Sequence, residues 1–410
     1  MHSDIFIVGG GVAGLTLARD LAIGGRQVHV IEREERTGGQ VTAIDVESHQ
    51  LDAAAESFAT RTDAVVGLIA ELGLSDRVLA PLGAPAWIHR EDGTAMPLPA
   101  TGLLGVPSDP LARDVRQSIG VVGAVRAWAD TVLPRSVGSE ATSFGDLVTA
   151  RMGRRVTERL VGPITRGVHS VEPHALAIAT AHPALASRDD RSLARSIRHI
   201  RRTAPAGSAV ASLHGGMHTL PIALAESAAE AGVQIHRGMT ATEVSASSVT
   251  FDGAKHRGDV IMATPPQGAP TRAVTLVTVV ASAPTWAAVP RGTGVLVTPG
   301  SPGVSARALT HVSAKWQWVS RAFAGKQVVR LSYDGATSEP LAKAVNDATI
   351  LMGSAPEAVH TVLERRWARA TPLAKADRAG MRWVGESVSG TGLAAVVAHA
   401  RRTAADILTQ

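Results

Sequence analysis

Glycines at positions 9, 11 and 14 stand in the spacing G-x-G-x-x-G, and Glu32 follows 18 residues after the last of them. Residues of these types at these intervals bind dinucleotides. Gly9 permits a tight turn, Gly11 lets the backbone approach a pyrophosphate, and Gly14 lets a helix pack closely on a strand. With Gly10, Val12 and Ala13, the loop presents backbone N–H groups at a helix N-terminus, where unpaired donors and the helix dipole favour phosphate. Glu32 is placed to accept hydrogen bonds from a ribose, and its charge disfavours the 2′-phosphate of NADP. FAD and NAD both fit this motif taken alone.

Other chemistries lack their residues. There is no Cys, hence no disulfide, thiolate metal site or cysteine nucleophile. The 15 His show no H-E-x-x-H or other metal-ligand spacing, so no metal site is expected, and no Ser-His-Asp arrangement is visible.

The elements that must position the loop are legible around it. Residues 4–8 (DIFIV) read as a buried strand, 12–23 as a helix stopped by Gly24-Gly25, and 27–32 (QVHVIE) as a second strand. That is a β-α-β unit in about thirty residues, the length a parallel crossover needs. Further on, a helix is expected over 62–73, loops and hairpins over 81–112, and mainly helix over 115–202. Leu213-His214-Gly215-Gly216 leads into a helix over 219–231 and a strand over 233–236. Strands at 242–251 and 258–263 are expected to return to the nucleotide-binding sheet. The stretch 272–335 reads as strand, with sheet alternation over 308–334, and 391–408 as a closing helix.

The 410 residues suit two interleaved domains, and 45% hydrophobic with 19% charged residues is a globular composition. The net charge of +5 is nearly all Arg, with Lys only at 255, 315, 326, 343 and 375. Such a surplus suits an acidic membrane surface or a carboxylate-bearing substrate, and base composition of the genome produces the same bias. No basic run is interleaved with aromatics, so nucleic acid is not an expected partner. The apolar opening lacks a basic n-region and is cut by three glycines, so it reads as a strand and not a signal peptide. No run reaches 18 apolar residues, so no membrane span is expected and the location expected is the cytoplasm.

Arg36-Thr37-Gly38-Gly39, three residues past Arg33, resembles the second fingerprint of the amine-oxidase-like flavoproteins, and selects FAD. Residues 51–58 (LDAAAESF), Met96-Pro97-Leu98-Pro99 with Gly105-Val106-Pro107, Arg151-Met152-Gly153, 160–170 (LVGPITRGVHS) and 213–220 (LHGGMHTL) resemble successive blocks of bacterial protoporphyrinogen and coproporphyrinogen oxidases. Three late blocks, 309–318 (LTHVSAKWQW), 328–332 (VVRLS) and 388–397 (VSGTGLAAVV), are similar to the actinobacterial branch.

That resemblance implies an α/β fold: a Rossmann-type FAD-binding domain interleaved with a mixed-sheet plus helical substrate domain. The FAD domain is expected at 1–80, 208–265 and 372–410, a mainly helical, substrate- and membrane-facing domain at 81–207, and a substrate-side sheet at 266–371. It also implies that Ala54, Ala55, Glu56 and Ser57 run beside the flavin and that Val244 contacts the adenine side. Gly385 and Glu386 are further cofactor-binding residues it implies, and Gly392 and Leu393 belong to the terminal block that caps the flavin with a helix N-terminus, where N–H groups favour charge on the reduced ring. The activity implied is oxidation of a porphyrinogen by O2 in heme biosynthesis, with hydride passing to the flavin and no catalytic side chain required.

Arg166 is the expected rim cation for a substrate carboxylate, the alternative being a surface Arg in a weak salt bridge, and His169 either touches substrate or packs. Peripheral membrane contact and contact with the next heme-pathway enzyme are further expectations of the family. Relatives carry Gly at the position of Ala54, Arg in plant and animal members at Ala86, and an aromatic at His169. Two other readings stand beside this one: an amine oxidase of the same fold, which needs an aromatic cage, and a non-catalytic binding protein on a decayed flavoprotein scaffold.

Overall fold

A computed structural model describes residues 3–60, 62–100, 102–169, 171–186, 192–203, 210–266, 268–269, 271–335, 339–370 and 380–410. The chain divides into two compact units, Met1–Pro81 with Gly207–Val274 and Arg365–Gln410, and Leu82–Ala206 with Thr275–Glu364.

The first unit is built on a five-stranded parallel sheet. Strand β1 (Ile5–Val8) leads through Gly9–Gly11 into helix α1 (Val12–Ile23), which returns to β2 (Val28–Ile31). Later come α2 (Thr219–Glu230), β3 (Gln234–His236), β4 (Asp259–Met262), β5 (Arg382–Trp383) and α3 (Leu393–Leu408). The strand order is β3-β2-β1-β4-β5, with Ile5 opposite both Val28 and Asp259.

The near-continuous apolar run of β1 follows from cover on both faces. Ile5 and Ile7 face the helices, sharing a core with Leu17 and Leu21 of α1, Ala228 of α2, and Ala400 and Ala404 of α3. Phe6 faces the other way, against Val249, Phe251 and Val260. Helix α1 ends where Gly25, at φ +84°, donates to the Ala22 carbonyl while Arg26 donates to that of Leu21. That six-to-one closure requires a left-handed residue, which Gly supplies without strain.

The other face of the sheet is covered by a three-stranded antiparallel meander, Val244–Ser245, Ser248–Phe251 and Ala254–Arg257. This corrects one expectation: only β4 joins the parallel sheet, and 242–251 forms the meander. Alternation marks a strand but does not say which sheet it enters.

The second unit joins a helical layer to a seven-stranded sheet. The helical core packs Val115, Ile119, Phe144, Leu147, Leu160 and Ile197 around one centre. A second core places Tyr333, Trp286 and Leu351 against the sheet. Here the expectation of sheet over 308–334 is also corrected. Strands Ala308–His311 and Gln327–Asp334 are separated by helices Val312–Lys315 and Gln317–Ala322. The helix Pro340–Met352, begun by Pro and closed by Gly353 at φ +81°, adds a layer that strand periodicity did not disclose.

Candidate functional site: a double-glycine phosphate cradle

Helix α1 starts at Gly11, in extended conformation, with no side-chain cap and no acidic residue in its first turn. Its leading N–H groups, which have no carbonyl of their own helix to meet, point out of the loop. Beside them runs the second glycine segment. Gly38 donates to the Gly10 carbonyl at 2.9 Å and bridges Gly11 in parallel register. A Cβ on Gly39 would lie 3.4 Å from the Gly11 Cα, and one on Gly11 would meet nothing nearer than Gly39 at 4.0 Å. Two backbones lie side by side with no side chain between them. A diphosphate fits such a cradle, and any side chain there would fill it.

Glu32 closes β2 and stays half-buried. Its carboxylate accepts from the Gly10 N–H at 2.7 Å and the Glu34 N–H at 2.9 Å, so it braces the loop as well as facing outward. Its own N–H is held by the His236 carbonyl at 2.8 Å. A side chain at Gly10 would crowd this arrangement, because a Cβ would sit 3.1 Å from that of Glu32 and 3.2 Å from Thr37. Arg36 bonds the Thr42 hydroxyl, and Arg33 makes an exposed pair with Glu34 at 3.3 Å.

The C-terminal block reaches the same loop. Gly385, at φ +101°, lies beside α1, where a Cβ would make an ordinary contact of 3.5 Å with that of Ala13. Glu386 accepts from the Gln40 amide at 3.3 Å, joining the block to the second glycine segment. Gly392 caps the sixteen-residue α3, again with no side-chain cap, and Leu393 packs beside the core containing Val12 and Leu15. Ala54, Ala55, Glu56 and Ser57 form a half-buried stretch after Ala53, and Val244 opens the meander.

Sequence reasoning missed Asp52. It is 4% exposed and accepts from the N–H groups of Met217 at 3.0 Å and His218 at 2.9 Å, and pairs with the His218 Nδ1 at 3.0 Å. It thereby ties the segment before Ala54 to the Gly215-Gly216 turn that launches α2. The signal was present only as an acid beside the 54–57 stretch, because its partners are backbone donors far along the chain.

Arg166 and His169 belong to the second unit. The Arg166 guanidinium lies against Gly162, where a Cβ would come within 2.8 Å, and its Nη1 donates to Glu172 at 2.9 Å. Its Nε is buried without a partner among the described residues. The His169 side chain lies outside the described residues. A cavity of about 100 Å³ in this unit, with Arg90, Ser118 and Arg159 in its wall, is too small for a macrocycle. Among the described residues no cluster of His, Asp or Glu could hold a metal ion.

Residues 12–295 match the family of flavin containing amine oxidoreductases. The chain belongs to that family. It is therefore an FAD-dependent oxidoreductase, and the cradle of Gly9–Gly14 and Gly38–Gly39 is of the kind such a dinucleotide needs. The chain is 30% identical to the coproporphyrinogen III oxidase of Mycobacterium bovis over 89% of its own length and 86% of that protein. Its fold is similar to the crystal structure of an Exiguobacterium sp. 255-15 protein named for protoporphyrinogen oxidation, with TM-score 0.83 and 21% identity over 100% and 99% of the two chains. It is also similar to putrescine oxidase bound to putrescine, with TM-score 0.64 and 15% identity over 100% of both chains. The fold therefore hosts more than one substrate class.

Proposed function

We propose that this chain oxidises coproporphyrinogen III to coproporphyrin III, with O2 as the electron acceptor, in heme biosynthesis. The observation that carries the reading is the resemblance to a coproporphyrinogen III oxidase along nearly the whole chain. The chemistry supplied by bound FAD is acceptance of hydride from a saturated bridge of the macrocycle.

The first unit would bind the dinucleotide and the second the substrate. Gly9–Gly14, Gly38 and Gly39 would hold the pyrophosphate, Glu32 the ribose, and Arg33 and Arg36 the rim of that loop. Residues 54–57, Val244, Gly385 and Glu386 would line the rest of the cofactor, and the N-terminus of α3 at Gly392 and Leu393 would favour negative charge on the reduced ring. Arg166 would engage a propionate, exchanging its exposed partner Glu172 for the substrate carboxylate. Cytoplasmic location and transfer of the porphyrin to the next enzyme of the pathway belong to the same proposal.

An amine substrate is disfavoured by the aromatic inventory. The single Tyr, Tyr333, is buried and bonded to Asp347, and all five Phe are buried, which leaves a cage around an ammonium to the seven Trp alone.

The test is a porphyrin-fluorescence assay on coproporphyrinogen and protoporphyrinogen under identical conditions. Coproporphyrinogen should turn over faster, and Arg166→Ala should raise KM more for the tetracarboxylate than for the dicarboxylate. Faster oxidation of protoporphyrinogen by the unsubstituted protein would overturn the substrate assignment.

A further inference from the structure

Asp52 and the imidazole of His218 form a buried pair with no part yet in binding cofactor or substrate. The His218 Nδ1 donates to the Asp52 Oδ1 at 3.0 Å, because an ionised carboxylate can only accept. Gly216, at φ +101°, keeps the space for them: a Cβ there would lie 2.6 Å from that nitrogen and 2.9 Å from that oxygen.

The ring is not needed to hold the turn. The backbone N–H groups of Met217 and His218 already occupy both Asp52 oxygens, at 3.0 and 2.9 Å. His218 stands at the N-cap of α2, yet its side chain makes no capping bond. What the carboxylate does fix is the orientation of the ring, which turns Nε2 away from Asp52. That nitrogen bonds no described residue and stays accessible, although His218 as a whole is buried, so it opens into a recess.

Two separate contacts place the pair along the path of the cofactor. Pro221, in the first turn of α2, packs on the phosphate loop: a Cβ on Gly38 would lie 3.0 Å from its Cγ. On the Asp52 side, Ala53 donates to the Thr42 carbonyl at 2.8 Å, and Arg36 bonds the Thr42 hydroxyl. Residues 54–57 follow directly. The pair thus lies between the segment assigned to the pyrophosphate and the stretch assigned to the flavin. In FAD the group between those two is the ribityl chain, which carries hydroxyls.

We propose that His218 presents Nε2 to a ribityl hydroxyl of bound FAD, with Asp52 as the residue that positions the ring. A hydroxyl both donates and accepts. It suits the neutral ring, whose Nε2 accepts, and the protonated ring, whose Nε2 donates. A phosphate oxygen would suit the protonated ring alone. The inference rests on the cofactor assignments proposed above and is independent of the substrate.

Calorimetric titration of the full-length apoprotein with FAD and with ADP tests it, since ADP carries adenosine and pyrophosphate without the ribityl chain. His218→Ala should weaken FAD roughly three- to tenfold, the range of one net hydrogen bond, and leave ADP within about twofold. His218→Gln, whose amide can donate and accept, should recover most of the FAD affinity. FAD analogues lacking single ribityl hydroxyls give a readout on the unsubstituted protein. One of them should lose the same factor, and His218→Ala should bind that analogue as well as it binds FAD. Equal weakening of FAD and ADP would overturn the proposal, because it assigns the ring to the turn. So would FAD affinity that His218→Ala leaves unchanged, or analogues that all bind like FAD. An unsubstituted protein that binds no FAD would overturn the cofactor assignments as well.

Discussion

Glycines in one loop fail for different reasons. A Cβ at Gly14 would lie 2.0 Å from the Gly9 carbonyl oxygen, inside any tolerable contact, so Gly14→Val should damage folding itself. A Cβ at Gly11 meets only open cradle, so Gly11→Val should fold and yet lose FAD. The measurements are flavin absorbance and melting temperature of the purified variants. Without added FAD the Gly11→Val protein should melt near the apoprotein. It should lack the stabilisation of about 2.7 kcal/mol that FAD gives at a hundred times its dissociation constant. A yellow Gly11→Val protein would contradict the cradle.

Asp52→Ala is the companion test at this scale. It strands two buried N–H groups, at about 1–3 kcal/mol for each unsatisfied donor, and should lower the melting temperature of the apoprotein as well as flavin retention. Unchanged melting would show that the 213–218 turn holds without it. The glycine spacing was legible because close approach leaves no substitute for Gly. Asp52 was not, because nothing in an acid's neighbours announces a distant turn.

Among the elements, β1, α1 and β2 could be read almost to the residue, since a buried apolar run, a helical stripe and paired glycines each have a single local cause. The meander and the helices at Val312–Lys315 and Gln317–Ala322 could not, because short alternating segments are settled by their tertiary neighbours. Three histidines at this meander make one element pair sensitive to acid. His29 of β2 and His236 of β3 face each other at 3.2 Å between Nδ1 and Nε2, with Phe6 stacked on the first and Phe251 tilted against the second. His256 of the meander stacks on Phe251.

Burial first, then the charge of a neighbouring His (His236 at His29, His256 at His236), holds both below the ordinary His value, with Asp4 opposing at His29 and Asp252 at His236. Neutral rings are favoured in the folded state, so this contribution is complete above the unfolded value of about 6.5 and is lost as pH falls from there through the lower folded values. The strain would be felt at Glu32, whose N–H rests on the His236 carbonyl. Melting temperature and flavin retention should therefore both fall between about pH 7 and pH 5, and His29→Gln should flatten part of that slope. A profile unchanged by the substitution would remove the histidines from the account.

At the scale of the whole molecule, the parallel sheet draws its strands from both ends of the chain, and α3 packs in one core with α1. Removing 381–410 takes away β5, α3 and the segment beside Ala13, and should leave a chain that neither folds cooperatively nor binds FAD. A yellow, cooperatively melting truncated protein would show that the terminal block is dispensable. The central claim joins this cofactor-binding unit to a porphyrinogen, and anaerobic mixing tests it most directly. Coproporphyrinogen III added to the yellow holoprotein without oxygen should bleach the flavin absorbance, and admitting O2 should restore it while coproporphyrin fluorescence grows. A flavin that stays oxidised with coproporphyrinogen, yet bleaches with an amine, would contradict it.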